Sequence, residues 1–126
     1  MSLESMAPAD AWNGDEDVLE PLGRDGLTYL VWGADWCDDC RAQLPDFAAA
    51  LDAAGVPADR IEQFPVDDDK RGERVDEYGV EFIPTVVVER GGKEVARFVE
   101  AAPDGIAAHL AKRVAAADEA SPNADD

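Results

Sequence analysis

Positive charge is scarce in this sequence. Lys and Arg total 11 against 29 Asp and Glu, a formal net charge of −18. A chain with that balance repels phosphate backbones and anionic headgroups, so neither nucleic acid nor an anionic membrane is expected as a partner. Long apolar runs are also lacking: none approaches the ~20 residues a spanning helix needs. The N-terminus is acidic and carries no basic-then-apolar leader of the secretory kind, so a cytoplasmic location is expected. Histidine occurs once, at His109, and cysteine twice, at Cys37 and Cys40. A metal site on that cysteine pair needs two further ligands, and a second chain would have to contribute. No metal and no cofactor is expected. No internal repeat is present, which excludes a repeat array.

What is there suffices for one domain. The chain has 126 residues, 46% of them hydrophobic, enough for a single core. The acidic residues are spread out, at 15–17, 67–69, Asp125 and Asp126. Spread acidity on a short domain fits a protein adapted to a saline cytosol, where salt screens self-repulsion.

The two cysteines lie in Trp36-Cys37-Asp38-Asp39-Cys40. Leu27 to Trp32, before them, is rich in β-branched, aromatic and aliphatic residues and reads as a buried strand. After them, Cys40, Leu44, Phe47, Ala48 and Leu51 recur with helical spacing. Both thiols therefore belong where a strand ends and a helix begins. The first amides of a helix have no intrahelical partner and the dipole is positive there, which favours a thiolate at Cys37. Cys37 is the expected nucleophile, and Cys40, one turn on, the thiol that resolves the mixed disulfide. Two inert core cysteines, or half of a shared metal site, are the competing readings. In a cytosolic chain, a Cys-x-x-Cys pair beside a βαβ pattern points to redox chemistry.

The rest of the chain supplies the frame. Residues 15–22 are predicted as a short helix, limited by Pro21, with Trp12 as a packing residue of this arm. The redox helix spans 38–53, contains Pro45, where a kink is expected, and is closed by Gly55. Residues 61–66 form a strand, and Pro65 in it favours a sheet edge. No strand precedes Leu27, so the arm around Trp12 and Leu19 is expected to cover that edge. A short helix follows over 72–78, with Val75 and Tyr78 inward and Gly79 as its stop. Thr85 to Glu89 is a buried strand, residues 90–93 a hairpin turn, and Glu94 to Val99 a half-exposed edge strand. Residues 103–117 form the last helix, with Pro103 in its first turn and Ile106, Leu110 and Val114 as its apolar stripe. His109 lies on its flank and reads as a partly exposed helix residue. The expected fold is α/β: a four-stranded mixed sheet between helices. Residues 1–26 make the arm, 27–117 the domain and 118–126 an acidic tail.

Trp36-Cys37-Asp38-Asp39-Cys40, Pro45 behind it, and Ile83-Pro84-Thr85 before a β-branched strand together resemble the thioredoxin family, over roughly residues 27–117. The resemblance implies a three-layer α/β/α fold without the usual N-terminal strand. It implies a thiol–disulfide oxidoreductase that reduces protein or small-molecule disulfides through the Cys37/Cys40 dithiol. It casts Cys37 as the exposed attacking thiol and Cys40 as the recessed one. Pro84 resembles the family's cis-proline, which turns the backbone of Ile83 toward a substrate groove bordered by Thr85. Trp36 resembles the docking tryptophan. An ordinary strand-start proline and plain core packing are the bland readings of Pro84 and Trp36. The implied partners are disulfide-containing proteins and an upstream reductase or low-molecular-weight thiol, with the chain a monomer. The sequence departs from the family at four places. Val31 stands where a buried Asp is usual and Gln63 where a Lys is usual. Asp38-Asp39 replaces Gly-Pro, and Glu100 replaces a glycine. Two carboxylates beside Cys37 disfavour its thiolate and make a stronger reductant, or one of them accepts the proton of Cys40; as plain first-turn acids they would do neither. A binding module without turnover and a metal-binding dimer remain the alternative functions.

Overall fold

The computed structural model describes residue 12 and residues 16–67, 69, 71–99 and 105–120, with 118–120 described in backbone alone. A 3₁₀ turn, Glu16–Val18, leads into α1, Leu19–Leu22. The order then runs β1 (Leu27–Gly33), α2 (Asp38–Ala53), β2 (Ile61–Pro65), α3 (Val75–Tyr78), β3 (Thr85–Arg90), β4 (Lys93–Val99) and α4 (Gly105–Ala120). The sheet order is β2-β1-β3-β4. β1 pairs parallel with β2 and antiparallel with β3, and β3 pairs antiparallel with β4. This is the expected four-stranded mixed sheet, and among the described residues no strand precedes Leu27. Pro65 is the last residue of edge strand β2, where its missing N–H costs no ladder bond.

The interior strands are buried on both faces, so β1 and β3 read as continuous apolar runs. On one face, Tyr29 packs edge-on to Phe47 of α2, and Phe98 to His109 of α4. On the other, Trp32 stacks on Phe64 and leans on Tyr78 of α3, and its Nε1–H donates to Glu73 O at 2.9 Å. These contacts define three layers. Burying side chains of this size contributes about 1.5–3 kcal/mol each, and the aromatic pairs fix where α2 and α3 sit on the sheet.

Local signals set the helix limits. At the end of α2, Gly55 takes φ +80°, Val56 N–H reaches Leu51 O and Gly55 N–H reaches Asp52 O, closing the last turn. The helix runs through Pro45 without interruption. Gly91 and Gly92 both have positive φ, as a two-residue hairpin turn between β3 and β4 requires. A bulge near Val88 and Glu89 shifts the β3–β4 register.

Three expectations change. The short helix begins at Val75 rather than residue 72, because Arg74 adopts a left-handed conformation (φ 64°). Its guanidinium lies over the Tyr78 ring and bonds Glu77. Among the described residues of the arm, α1 packs chiefly on α4 and α2 rather than along β2. Leu22 O accepts the buried Tyr29 hydroxyl at 2.6 Å, and Trp12 lines a cavity of about 190 Å³ between α2 and α4. The last helix continues to Ala120, so residues 118–120 belong to it rather than to a tail. Pro103, Glu100 and residues 121–126 lie outside the described residues.

Candidate functional site

β1 ends at Gly33, and four residues later Cys37 caps α2. Its backbone is extended (φ −86°, ψ 119°), and its Sγ accepts the backbone N–H of Cys40 at 3.2 Å. A sulfur occupies the place where an oxygen usually caps a helix. Cys37 O begins the helical ladder by accepting from Arg41 N–H, and Cys37 N–H donates to Ala34 O at 3.2 Å. These bonds hold the cap rigidly, aimed along the axis of a 16-residue helix.

Both cysteines are free thiols. Cys40 is fully buried and Cys37 retains 9% exposure. The depth order is the expected one, with Cys40 beneath Cys37. Cys37 is nonetheless less open than an exposed attacking thiol: only an edge of it meets solvent. Burial pushes the Cys40 thiol up to about 12, and its hydrogen bond to Cys37 and the nearby Asp39 charge add to that, against a lowering by the Ala34 backbone. Cys40 is thus a proton-bearing donor to Cys37 at neutral pH, and Cys37 Sγ takes both the amide and the thiol of residue 40.

Asp38 and Asp39 are exposed first-turn residues of α2. Trp36 is 51% exposed and stands clear of the core, which removes the reading of it as plain packing. Residues 83 and 84 are joined by a cis peptide bond. Ile83, Pro84 and Thr85 are all buried. The Thr85 hydroxyl donates to Phe82 O, so it closes the loop from inside instead of facing outward. The strand register sets Thr85 opposite Trp32. Pro84 is therefore level with Gly33, at the sheet end from which the Cys37 corner departs.

Val31 is fully buried and pairs across the sheet with Gln63. The two positions that depart from the family pattern are thus direct neighbours, and neither is a charged pair. His109 is partly buried and its Nε2–H donates to Arg97 O at 3.0 Å, which fixes the ring to β4. It belongs to the α4 face rather than to the thiol corner. Among the described residues no group of three or more metal-ligating side chains converges. One residue at this end of the sheet was passed over in reading the motifs: Phe82, 44% exposed, beside the buried Ile83–Pro84 pair. An aromatic residue immediately before Ile-Pro was the available signal.

Comparison with known proteins adds four findings. The thioredoxin family model matches residues 15–112. Thioredoxin H2-2 of rice, Oryza sativa subsp. japonica, is 40% identical over 78 residues, covering 62% of this chain and 55% of that protein. The chain thus spans little more than half the length of that relative. The chloroplastic M-type thioredoxin of Chlamydomonas reinhardtii is 31% identical over 102 residues, covering 81% of this chain and 71% of that one. A solved structure described as that of a malarial protein superposes with a TM-score of 0.50 at 21% identity, covering 71% of this chain and 98% of that one. That last likeness bears on the fold alone.

Proposed function

The chain belongs to the thioredoxin family, and from that premise we propose that it reduces disulfides of proteins or small molecules through the Cys37/Cys40 dithiol. The observation that carries the reading is the cap geometry: one sulfur at the helix N-terminus accepts the amide of the residue that bears the other.

The reaction follows from that arrangement. The Cys37 thiolate attacks one sulfur of the substrate disulfide, forming a mixed disulfide and expelling the other half as a thiolate. Cys40 then gives its proton to that thiolate and its sulfur attacks Cys37, releasing the second half as a thiolate, which takes up from water the proton that Cys37 had lost. The balance is one substrate disulfide reduced to two thiols and one protein dithiol oxidised to a disulfide. A thiol raised to about 12 is a poor nucleophile at neutral pH. Two of its causes, the hydrogen bond to Cys37 and the charge on Cys37, vanish once Cys37 is bonded to substrate. Burial, the largest cause, stays, so bonding of Cys37 to substrate eases loss of the Cys40 proton without removing its main restraint.

Asp38 and Asp39 fit the reductant direction. Their charges oppose the Cys37 thiolate of the dithiol form more than the neutral disulfide, which favours giving electrons away. Trp36, the backbone of Ile83 and the Pro84 turn are assigned to substrate docking. The proposed partners are a disulfide-bearing protein and an upstream reductase or thiol that restores the dithiol, with the chain acting as a monomer in a salt-rich cytoplasm.

The test is a trapping experiment. With Cys40→Ser, incubation with a disulfide protein should accumulate a stable adduct on residue 37, seen by mass spectrometry and released by dithiothreitol. Cys37→Ser should give none. Absence of any adduct with Cys40→Ser would overturn the assignment and leave a binding module.

A further inference from the structure

Among the described residues, three large apolar side chains stand out from an acidic surface: Trp36, Phe82 and Val99, the last 42% exposed. Strand pairing collects them. Thr85 lies opposite Trp32 on one side and Val99 on the other. The β1–α2 corner with Trp36 and Cys37, the loop with Phe82, and the end of β4 with Val99 therefore lie at one end of the sheet. The core does not require Phe82: the neighbouring Ile83 and Pro84 are buried while Phe82 is left nearly half in water. Exposed aromatic area grouped around a reactive thiol marks a contact surface.

The charge around this patch is one-sided. Residues 34–41 and 80–85 carry four exposed carboxylates, Asp35, Asp38, Asp39 and Glu81, and one cation, Arg41. Such a rim attracts cations and repels anions, and the effect fades with salt.

We propose, resting on the disulfide-exchange reading above, that this site selects polypeptide disulfides whose cysteine is flanked by a basic residue and an apolar one. Phe82 and Trp36 receive the apolar side chain, and the carboxylates of Asp38, Asp39 and Glu81 face the basic one. The chemistry is unchanged: the same two electrons leave the dithiol, and the flanking residues decide which disulfide arrives.

The experiment compares symmetrical disulfides of short peptides that differ only beside the cysteine, Lys-Cys-Phe against Glu-Cys-Phe, with Lys-Cys-Gly as the third. Neutral 2-hydroxyethyl disulfide is the reference. Each rate with the reduced protein is divided by its rate with dithiothreitol, which removes intrinsic reactivity. At low ionic strength the Lys peptide should exceed the Glu peptide by about tenfold or more, falling to within about threefold at 1 M salt. The triple variant D38N/D39N/E81Q should shrink the low-salt ratio. Phe82→Ser should slow the Lys-Cys-Phe peptide more than Lys-Cys-Gly. If all the disulfides are reduced but the Lys-to-Glu ratio stays near one at low salt, the selectivity is overturned and the reductase reading stands. If none is reduced, 2-hydroxyethyl disulfide included, the reductase reading falls and the selectivity with it.

Discussion

Cys40 keeps its proton because it has no water around it and faces a second sulfur. That has a measurable sign. Its folded value of about 12 lies above the ordinary 9.0, so in alkali the unfolded chain loses the proton first. Below about pH 9 the stabilisation is fully present; between about pH 9 and 12 it is lost as pH rises. The disulfide form has no such proton. The melting temperature of the reduced protein should therefore fall relative to the oxidised one as pH goes from about 8 to about 10.5. Tyr29, raised by burial, acts alike on both forms and cancels in the difference. Parallel curves would contradict the placement of Cys40. Asp38 and Asp39 supply a second residue-scale test. Replacing them with Gly-Pro should raise the reduction potential by about 20 mV, ~1 kcal/mol for a two-electron couple. An unchanged potential would mean that the pair is solvated and electrically silent toward Cys37.

At the scale of elements, a buried bond from Tyr29 Oη to Leu22 O ties α1 to the sheet. Tyr29→Phe leaves that carbonyl unpaired and should cost about 1–3 kcal/mol in denaturant unfolding, and it should speed proteolysis of the arm before that of α2. Gly72 is a second joint. A Cβ there would come within 2.8 Å of Pro65 O, a backbone atom that cannot swing away. Gly72→Ala should destabilise by about 1–3 kcal/mol and loosen the turn between β2 and α3. These elements also show what a sequence discloses. The ends of α2, the β3–β4 hairpin and edge strand β2 were legible because Gly55, Gly91, Gly92 and Pro65 act locally, through φ or a missing N–H. The start of α3 was not, because Arg74 is left-handed and an arginine carries no local signal for that region, as a glycine would. The same holds for the site. Spacing placed Cys37 at a helix start, but how little of it meets solvent is set by tertiary packing. The docking of the arm on α4 depends on helix faces that no local pattern relates.

At the scale of the whole molecule, a net charge of −18 on 126 residues opposes compaction in dilute buffer. Ion pairs such as Arg24–Glu20 and Arg97–Glu94 are exposed on at least one partner, and pairs of that kind contribute little. Moving from low salt to 1 M should therefore raise the melting temperature by at least about 4 °C, roughly what 1 kcal/mol gives a domain of this size. An unmoved or falling melting temperature would show that self-repulsion is not a significant term. Salt should also compress the selectivity of the thiol site, since both effects arise from the same excess of carboxylates.

A single-turnover count tests the central claim most directly. Fully reduced protein, freed of reductant, is mixed with excess disulfide substrate, and protein and substrate thiols are titrated over time. The account predicts two protein thiols lost, two substrate thiols gained, and an internal Cys37–Cys40 disulfide in each chain. Thiols that persist on the protein while substrate stays oxidised would contradict it.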